Sequence, residues 1–157
     1  MLNIIKHDLA RIAKPTLING LKWYFFPKGE CFDFVVWLRI QQWIRHCKLL
    51  NILTFNLINI ITYIVYRHFE FKYGIHPNAN TQIGEGFRPI HGPCNLNAAE
   101  IGKNFTVYPG VTIGINRGGI PKIGNNVTIY TNAVVCGPIT IKDGSIIRAL
   151  SYTDKSI

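Results

Sequence analysis

Aliphatic residues recur every six positions through the C-terminal part of the chain, and this period constrains the fold more than any other feature. The residues that open the six-residue units are Ile101, Val107, Ile113, Ile123, Ile129, Val135, Ile141 and Ile147. Every step between them is six residues except Ile113 to Ile123, where the step of ten indicates a four-residue insertion. Sandwiches and barrels show turn signals roughly every 8–12 residues, so this period excludes them.

A six-residue period is typical of a solenoid in which three short strands make one turn of a triangular prism. One coil then takes about eighteen residues, and the aliphatic residues of successive coils stack inside. Turn-prone pairs such as Asn125-Asn126 and Asp143-Gly144 stand in the middle of the units, where the chain must bend. The pattern predicts a mainly β fold, a left-handed parallel β-helix, over residues 74–157.

The preceding residues, 1–73, have helical rather than strand periodicity. Apolar residues between Phe34 and Ile44 suit one amphipathic helix. The stretch from Leu49 to Tyr66 carries no charge over 18 residues and is flanked by basic residues. Three alternatives stay open for it: a buried packing helix, a helix on a membrane surface, and a membrane span. The span is the least favoured, because three asparagines interrupt the stretch.

Charge and cysteine content limit the partners. Lysine and arginine number 17 against 8 acidic residues, which gives a net charge of +9 and favours an anionic partner. No nucleic-acid reading motif is present, so anionic lipid or a phosphate-bearing small molecule is the better expectation. The four cysteines form no C-x-x-C pair, so we expect free thiols in a reducing cytoplasm and no metal.

Several runs in the second half resemble the hexapeptide-repeat acyltransferases. They are Tyr73-Gly-Ile, Ile83-Gly-Glu-Gly-Phe, His91-Gly, Ile101-Gly-Lys-Asn and Tyr108-Pro-Gly-Val-Thr-Ile-Gly. Within that family they are similar to the serine acetyltransferase-like branch, especially its short members in capsule and surface-polysaccharide gene sets. The resemblance implies an acetyl-CoA-dependent O-acetyltransferase. It also implies that His91, eight residues after Ile83, is the general base in a direct attack without an acyl-enzyme.

The sequence departs from the serine-specific branch at two places that concern the acceptor. An ungapped match places His76 where that branch has the aspartate that orients the base. Gly119 and Ile120 stand where it has an Arg-His pair, and arginine is the natural clamp for an amino-acid carboxylate. We therefore expect a sugar hydroxyl as the acceptor, in surface-polysaccharide synthesis. Serine O-acetyltransferase and a non-catalytic β-helix scaffold are the alternatives.

The resemblance also implies a binding path for acetyl-CoA. Gly114, Thr131 and Ala149 match the small residues that line the pantetheine, and Arg117 and Lys122 are candidate phosphate contacts. In the family this path lies between two prisms of a homotrimer, so a monomer is expected to be inactive. The N-terminal helices are expected either to pack on the prism end or to make a peripheral contact with the inner face of the membrane.

The first and last coils depart from the regular six-residue repeat. The loop after His91 is two residues shorter than usual, so Pro89 and Asn95 fall where aliphatic residues are expected. We therefore expect the first coil to lose its aliphatic phase. Residues 147–155 replace the usual last repeat, and the family continues beyond the position of Ile157 with a motif that covers the CoA. We expect this to weaken acyl-CoA binding.

Overall fold

The computed structural model describes residues 1–25, 31–47, 52 and 56–157. In these residues four helices precede the strands: α1 (Leu2–Ala10), α2 (Leu17–Phe25), α3 (Phe32–His46) and α4 (Leu57–Tyr73). The strands are β1 (Ile75–Pro77), β2 (Gln82–Ile83), β3 (Arg88–Pro89), β4 (Cys94–Leu96), β5 (Glu100–Ile101), β6 (Thr106–Val107), β7 (Thr112–Gly114), β8 (Lys122–Ile123), β9 (Thr128–Ile129), β10 (Val134–Cys136), β11 (Thr140–Ile141), β12 (Ile146–Ile147) and β13 (Tyr152–Thr153).

The strands form three parallel sheets, which are the faces of a prism. The first face has the order β1-β4-β7-β10-β13, the second β2-β5-β8-β11 and the third β3-β6-β9-β12. Each strand therefore pairs with the strand three places later, one coil further along the axis, through about four turns. The predicted parallel β-helix is confirmed, while the division at residue 74 into two domains stays a prediction.

Aliphatic side chains stack inside the prism in the register that the six-residue period predicts. On the second face Ile83 pairs with Ile101, Ile101 with Ile123, and Ile123 with Ile141. The eight residues that open the units, Ile101 to Ile147, are all at most 3% exposed. Burying one such side chain stabilises the fold by roughly 1.5–3 kcal/mol, which no single unit can obtain without its neighbours.

The first coil keeps its aliphatic phase, so the expected loss is wrong. Pro89 is buried and pairs with Val107. Leu96, rather than Asn95, then pairs with Ile113 and points into the core, while Asn95 is exposed. The corner between the inward residues Pro89 and Leu96 holds six residues, one more than the corner between Val107 and Ile113 in the next coil. It absorbs the shift in register before the next inward position.

Helices α1 and α3 attach to the first coil through a buried ion pair. Arg39 of α3 donates to Asp8 of α1 at 2.8 Å and to the carbonyl oxygens of Ile83 and Gly84 at 2.6 Å each. Asp8 also accepts the backbone N–H of Gly86 at 2.7 Å. Both charged side chains are at most 3% exposed. Helices α1 and α3 therefore pack against the first coil, which agrees with the expectation that the N-terminal helices pack on the prism end.

Helix α4 covers only part of the uncharged stretch from Leu49 to Tyr66. It begins at Leu57 and continues to Tyr73, whereas residues 48–51 and 53–55 lie outside the described part of the chain. Its buried residues are Tyr66 and Glu70, and several of its aliphatic side chains are exposed, so this part of the expected packing helix is buried on one side only. Among the described residues no helix has the length and apolar character to cross a membrane.

Candidate functional site

His91 lies at the corner between the third and first faces, two residues after the end of β3. Its backbone has a φ of 60°, in the left-handed region, and its side chain is exposed. Within the described residues its imidazole makes no hydrogen bond. The next residue, Gly92, lies against the carbonyl group of Tyr73 so closely that any Cβ there would overlap it. The tight corner leaves the imidazole free to meet a ligand from solvent.

Three of the candidate site residues share this edge of the prism. Pro89 pairs with Val107, Val107 with Ile129, and Ile129 with Ile147. The corners that follow these strands therefore lie on one edge of the prism, with His91, Pro109, Thr131 and Ala149 at successive corners along the axis. With strands about 4.8 Å apart, Thr131 lies roughly 10 Å and Ala149 roughly 14 Å along the axis from His91. A chain-like ligand lying along this edge would meet all three.

The other candidates lie elsewhere on the prism. Gly114 ends β7 and pairs with Cys136 on the first face, and Lys122 is exposed on the second face. Arg117 stands in the four-residue insertion, where Asn116 and Gly119 are bridged, and its guanidinium pairs with Asp154 at 3.1 Å. Gly114, Arg117 and Lys122 are therefore not on the edge of His91 in a single chain.

The structure places a carboxylate, that of Glu70, beside His76. The Nδ1 atom of His76 lies 3.0 Å from Glu70 Oε1, while Arg67 donates to the other oxygen at 2.8 Å. Glu70 is 3% exposed, and the side chain of His76 is 40% exposed. Sequence reasoning missed Glu70, although it is the only acidic residue in residues 57–73 and stands six positions before His76.

Comparison with known proteins agrees with this architecture. Residues 120–154 match the family described as bacterial transferase hexapeptide (six repeats). No curated protein matches the sequence. Among solved structures, the serine acetyltransferase from Neisseria gonorrhoeae matches with a TM-score of 0.70 and 23% identity, over 99% of this chain and 60% of its own. Serine acetyltransferase isoform 3 from Entamoeba histolytica, crystallised with cysteine, matches with a TM-score of 0.62 and 20% identity, over 99% and 56%.

A third structure contains coenzyme A. It is the serine acetyltransferase from Brucella abortus strain S19, with a TM-score of 0.55 and 15% identity, over 99% of this chain and 64% of its own. The chain thus spans less than two thirds of the length of these three proteins. At these identities the likeness concerns the fold. Fold and repeat together define the class as a β-solenoid of hexapeptide repeats, which confirms the predicted resemblance at that level.

Proposed function

We propose that this protein is an acetyl-CoA-dependent O-acetyltransferase that uses His91 as general base. The observation that carries the proposal is the exposed imidazole of His91, which has no hydrogen-bond partner among the described residues and shares a prism edge with Thr131 and Ala149. The hexapeptide match and the similarity to serine acetyltransferases, one of them crystallised with coenzyme A, support it. The candidate CoA contacts are those of the sequence resemblance: Gly114, Thr131 and Ala149 along the pantetheine, with Arg117 and Lys122 at the phosphates.

The chemistry needs one proton acceptor at the site of attack. As the acceptor hydroxyl oxygen bonds to the thioester carbonyl carbon, its proton passes to the imidazole of His91. The carbon–sulfur bond then breaks, and the proton passes to the CoA thiolate, which leaves free CoA and an acetyl ester. Imidazole is the side chain best suited to accept and return a proton near neutral pH. No acyl-enzyme is needed.

A sugar hydroxyl is the acceptor that we propose, within surface-polysaccharide synthesis. The turn at Asn116–Gly119 carries a glycine at 119, where the serine-specific branch has the arginine of its Arg-His pair. An amino-acid carboxylate would therefore lack its clamp. The second candidate is serine O-acetyltransferase, which the names of the similar structures favour.

Release of free CoA, measured with a thiol reagent, separates these alternatives. We expect turnover with sugar or lipid-linked glycan acceptors and none with L-serine. His91→Ala should reduce turnover by roughly 10²–10⁴-fold, the usual contribution of general base catalysis. His68→Ala is the matched control, because His68 is an exposed histidine on α4.

Three outcomes would contradict parts of the proposal. Robust turnover of L-serine would replace the sugar acceptor by the second candidate. Full activity of His91→Ala would remove the catalytic assignment. Failure to bind acetyl-CoA in calorimetry would favour a non-catalytic scaffold, the remaining alternative.

Trimer formation is part of the same proposal, because the resemblance places the acetyl-CoA path between two prisms. Light scattering coupled to gel filtration should give three times the chain mass of 17.8 kDa. Activity should fall when dilution dissociates the trimer. A monomer with full activity would contradict the shared site.

A peripheral membrane contact through the N-terminal helices would bring the site near a lipid-linked acceptor. Helix α2 buries no residue, and Leu17, Ile18 and Phe25 are 66–80% exposed. Lys14 and Lys22 are exposed beside them, a combination that suits an anionic surface. The protein should float with anionic liposomes at low salt, and Ile18→Ser should weaken this. Retention in the aqueous fraction would refute the contact.

A further inference from the structure

A small cavity lies between α3, α4 and the segment that joins β1 to β2. Its volume is about 140 Å³, and its polar lining residues include Gln42, Arg45, Tyr63, Tyr66, Arg67 and Glu70. Sites for drug-sized molecules usually enclose roughly 300–1,000 Å³, so this cavity suits a much smaller ligand. Pro77 and Asn78 form its wall on the prism, at the opposite end of the first face from the His91 corner.

Tyr66 contributes a buried hydroxyl group to this cavity. The residue is 8% exposed, and within the described residues its hydroxyl has no hydrogen-bond partner. A buried polar group without a partner is costly, so such a group in a native protein calls for a ligand or water. Burial is the main reason that the pKa of Tyr66 is raised, and the charge of Glu70 raises it further. The hydroxyl therefore keeps its proton and remains a donor.

Two guanidinium groups border the same cavity. Arg45 donates to the carbonyl oxygen of Ala79 at 2.8 Å, which leaves it further N–H groups. Arg67 pairs with Glu70 at 2.8 Å and stands 4.4 Å from the centre of the Phe71 ring. With two arginines and one glutamate, the lining is positive by one charge.

The side-chain oxygens of Gln42 and Glu70 are already engaged by neighbouring groups. Gln42 accepts from Arg39 through its oxygen at 3.0 Å, so its amide N–H groups are its other hydrogen-bonding capacity. Both oxygens of Glu70 are engaged, one by Arg67 and one by His76. A ligand that enters the cavity therefore meets hydrogen-bond donors and net positive charge, which is the chemistry of an anion site.

We propose that this cavity binds a small anion, a phosphate or a carboxylate, through Arg45, Arg67, Gln42 and the hydroxyl of Tyr66. The site is separate from the His91 edge and does not depend on the proposed acetyl transfer. The anion belongs to a small metabolite or to the charged group of a larger molecule whose remainder stays in solvent.

Calorimetry on the full chain tests the proposal with inorganic phosphate in one arm and acetate in the other, at constant ionic strength. Tyr66→Phe removes the hydroxyl alone, and Arg45→Gln removes one charge. Each should weaken anion binding by about tenfold or more, because hydrogen bonds to charged groups are the stronger ones. The matched controls are Tyr130→Phe and Arg148→Gln, which change exposed residues on later coils.

The outcomes distinguish the anion and the site. Binding of phosphate alone or of acetate alone, weakened by both cavity variants, supports the site and identifies the group that it takes. Absence of binding in both arms, with the protein folded by circular dichroism, overturns the proposal. Equal weakening by the cavity and control variants overturns it as well, since general charge would then explain the binding. Tyr66→Phe should leave the melting temperature without anion unchanged or higher, which separates lost binding from lost structure.

Discussion

Asp8→Asn should destabilise the protein strongly, because Asp8 balances the buried charge of Arg39. Their two side chains meet at 2.8 and 3.1 Å and are at most 3% exposed. The same carboxylate accepts the N–H groups of Gly86 and Phe87 at the first corner of the prism. Removing one partner of such a pair leaves an uncompensated buried charge, which costs about 3–5 kcal/mol.

The expected loss is large relative to the stability of a domain, which is usually about 5–15 kcal/mol. For a chain of this length it corresponds to a fall in melting temperature on the order of 6–20 °C. Urea unfolding followed by circular dichroism, at one fixed protein concentration, measures it.

Asp143→Asn is the matched control for this experiment. Asp143 also accepts hydrogen bonds, from the backbone and side chain of Asn125, but it lies at the surface. Its replacement should therefore change stability far less than Asp8→Asn. A loss below about 1 kcal/mol for Asp8→Asn would refute the reasoning.

Three further predictions follow from single sites. Cys94 is 2% exposed, and burial raises its pKa to about 11. At pH 8.5 iodoacetamide should therefore label the partly exposed Cys47 at least about tenfold faster than Cys94, as measured by mass spectrometry, and faster labelling of Cys94 would contradict the burial. Gly119→Ala would place a Cβ 2.5 Å from the Cβ of Pro138 and should lower the free energy of unfolding by about 1–3 kcal/mol, as measured with urea. An unchanged unfolding midpoint would show that the insertion moves freely. Hydrogen bonds from His7 and then Lys103 lower the pKa of Glu85. The stabilising effect of Glu85 is therefore present above the ordinary glutamate pKa and is lost as the pH falls through the lowered pKa. The difference in melting temperature between wild type and Glu85→Gln should shrink from pH 7 to pH 3, and a constant difference would disprove this linkage.

The prism could be predicted from the sequence because its rule is local. Each unit places one aliphatic residue inward, and identical steps of six bring these residues into one stack without knowledge of any distant contact. The same rule failed at Asn95, where counting alone located the inward position one residue too early. The corner after His91 accommodates an extra residue, and backbone geometry rather than residue type decides which corners do so.

The candidate site was predictable only in part. Sequence reasoning named His91, and the register of the third face then places Thr131 and Ala149 on the same edge. It could not foresee that the buried carboxylate of Glu70 would contact His76, because the end of α4 and the start of β1 meet only through the turn at Gly74. Nor could it place Gly114 and Arg117 away from that edge.

By itself the sequence determined the repeat, its period and therefore the coil, since these depend on residue spacing along one strand path. Only the tertiary structure decided which charges meet across elements. Asp8 and Arg39 are 31 residues apart, and Tyr66 shares its cavity with Arg45 and with the β1–β2 segment. Such contacts depend on how helices dock onto the first coil, and that docking is set by the fit of whole surfaces rather than by any local pattern.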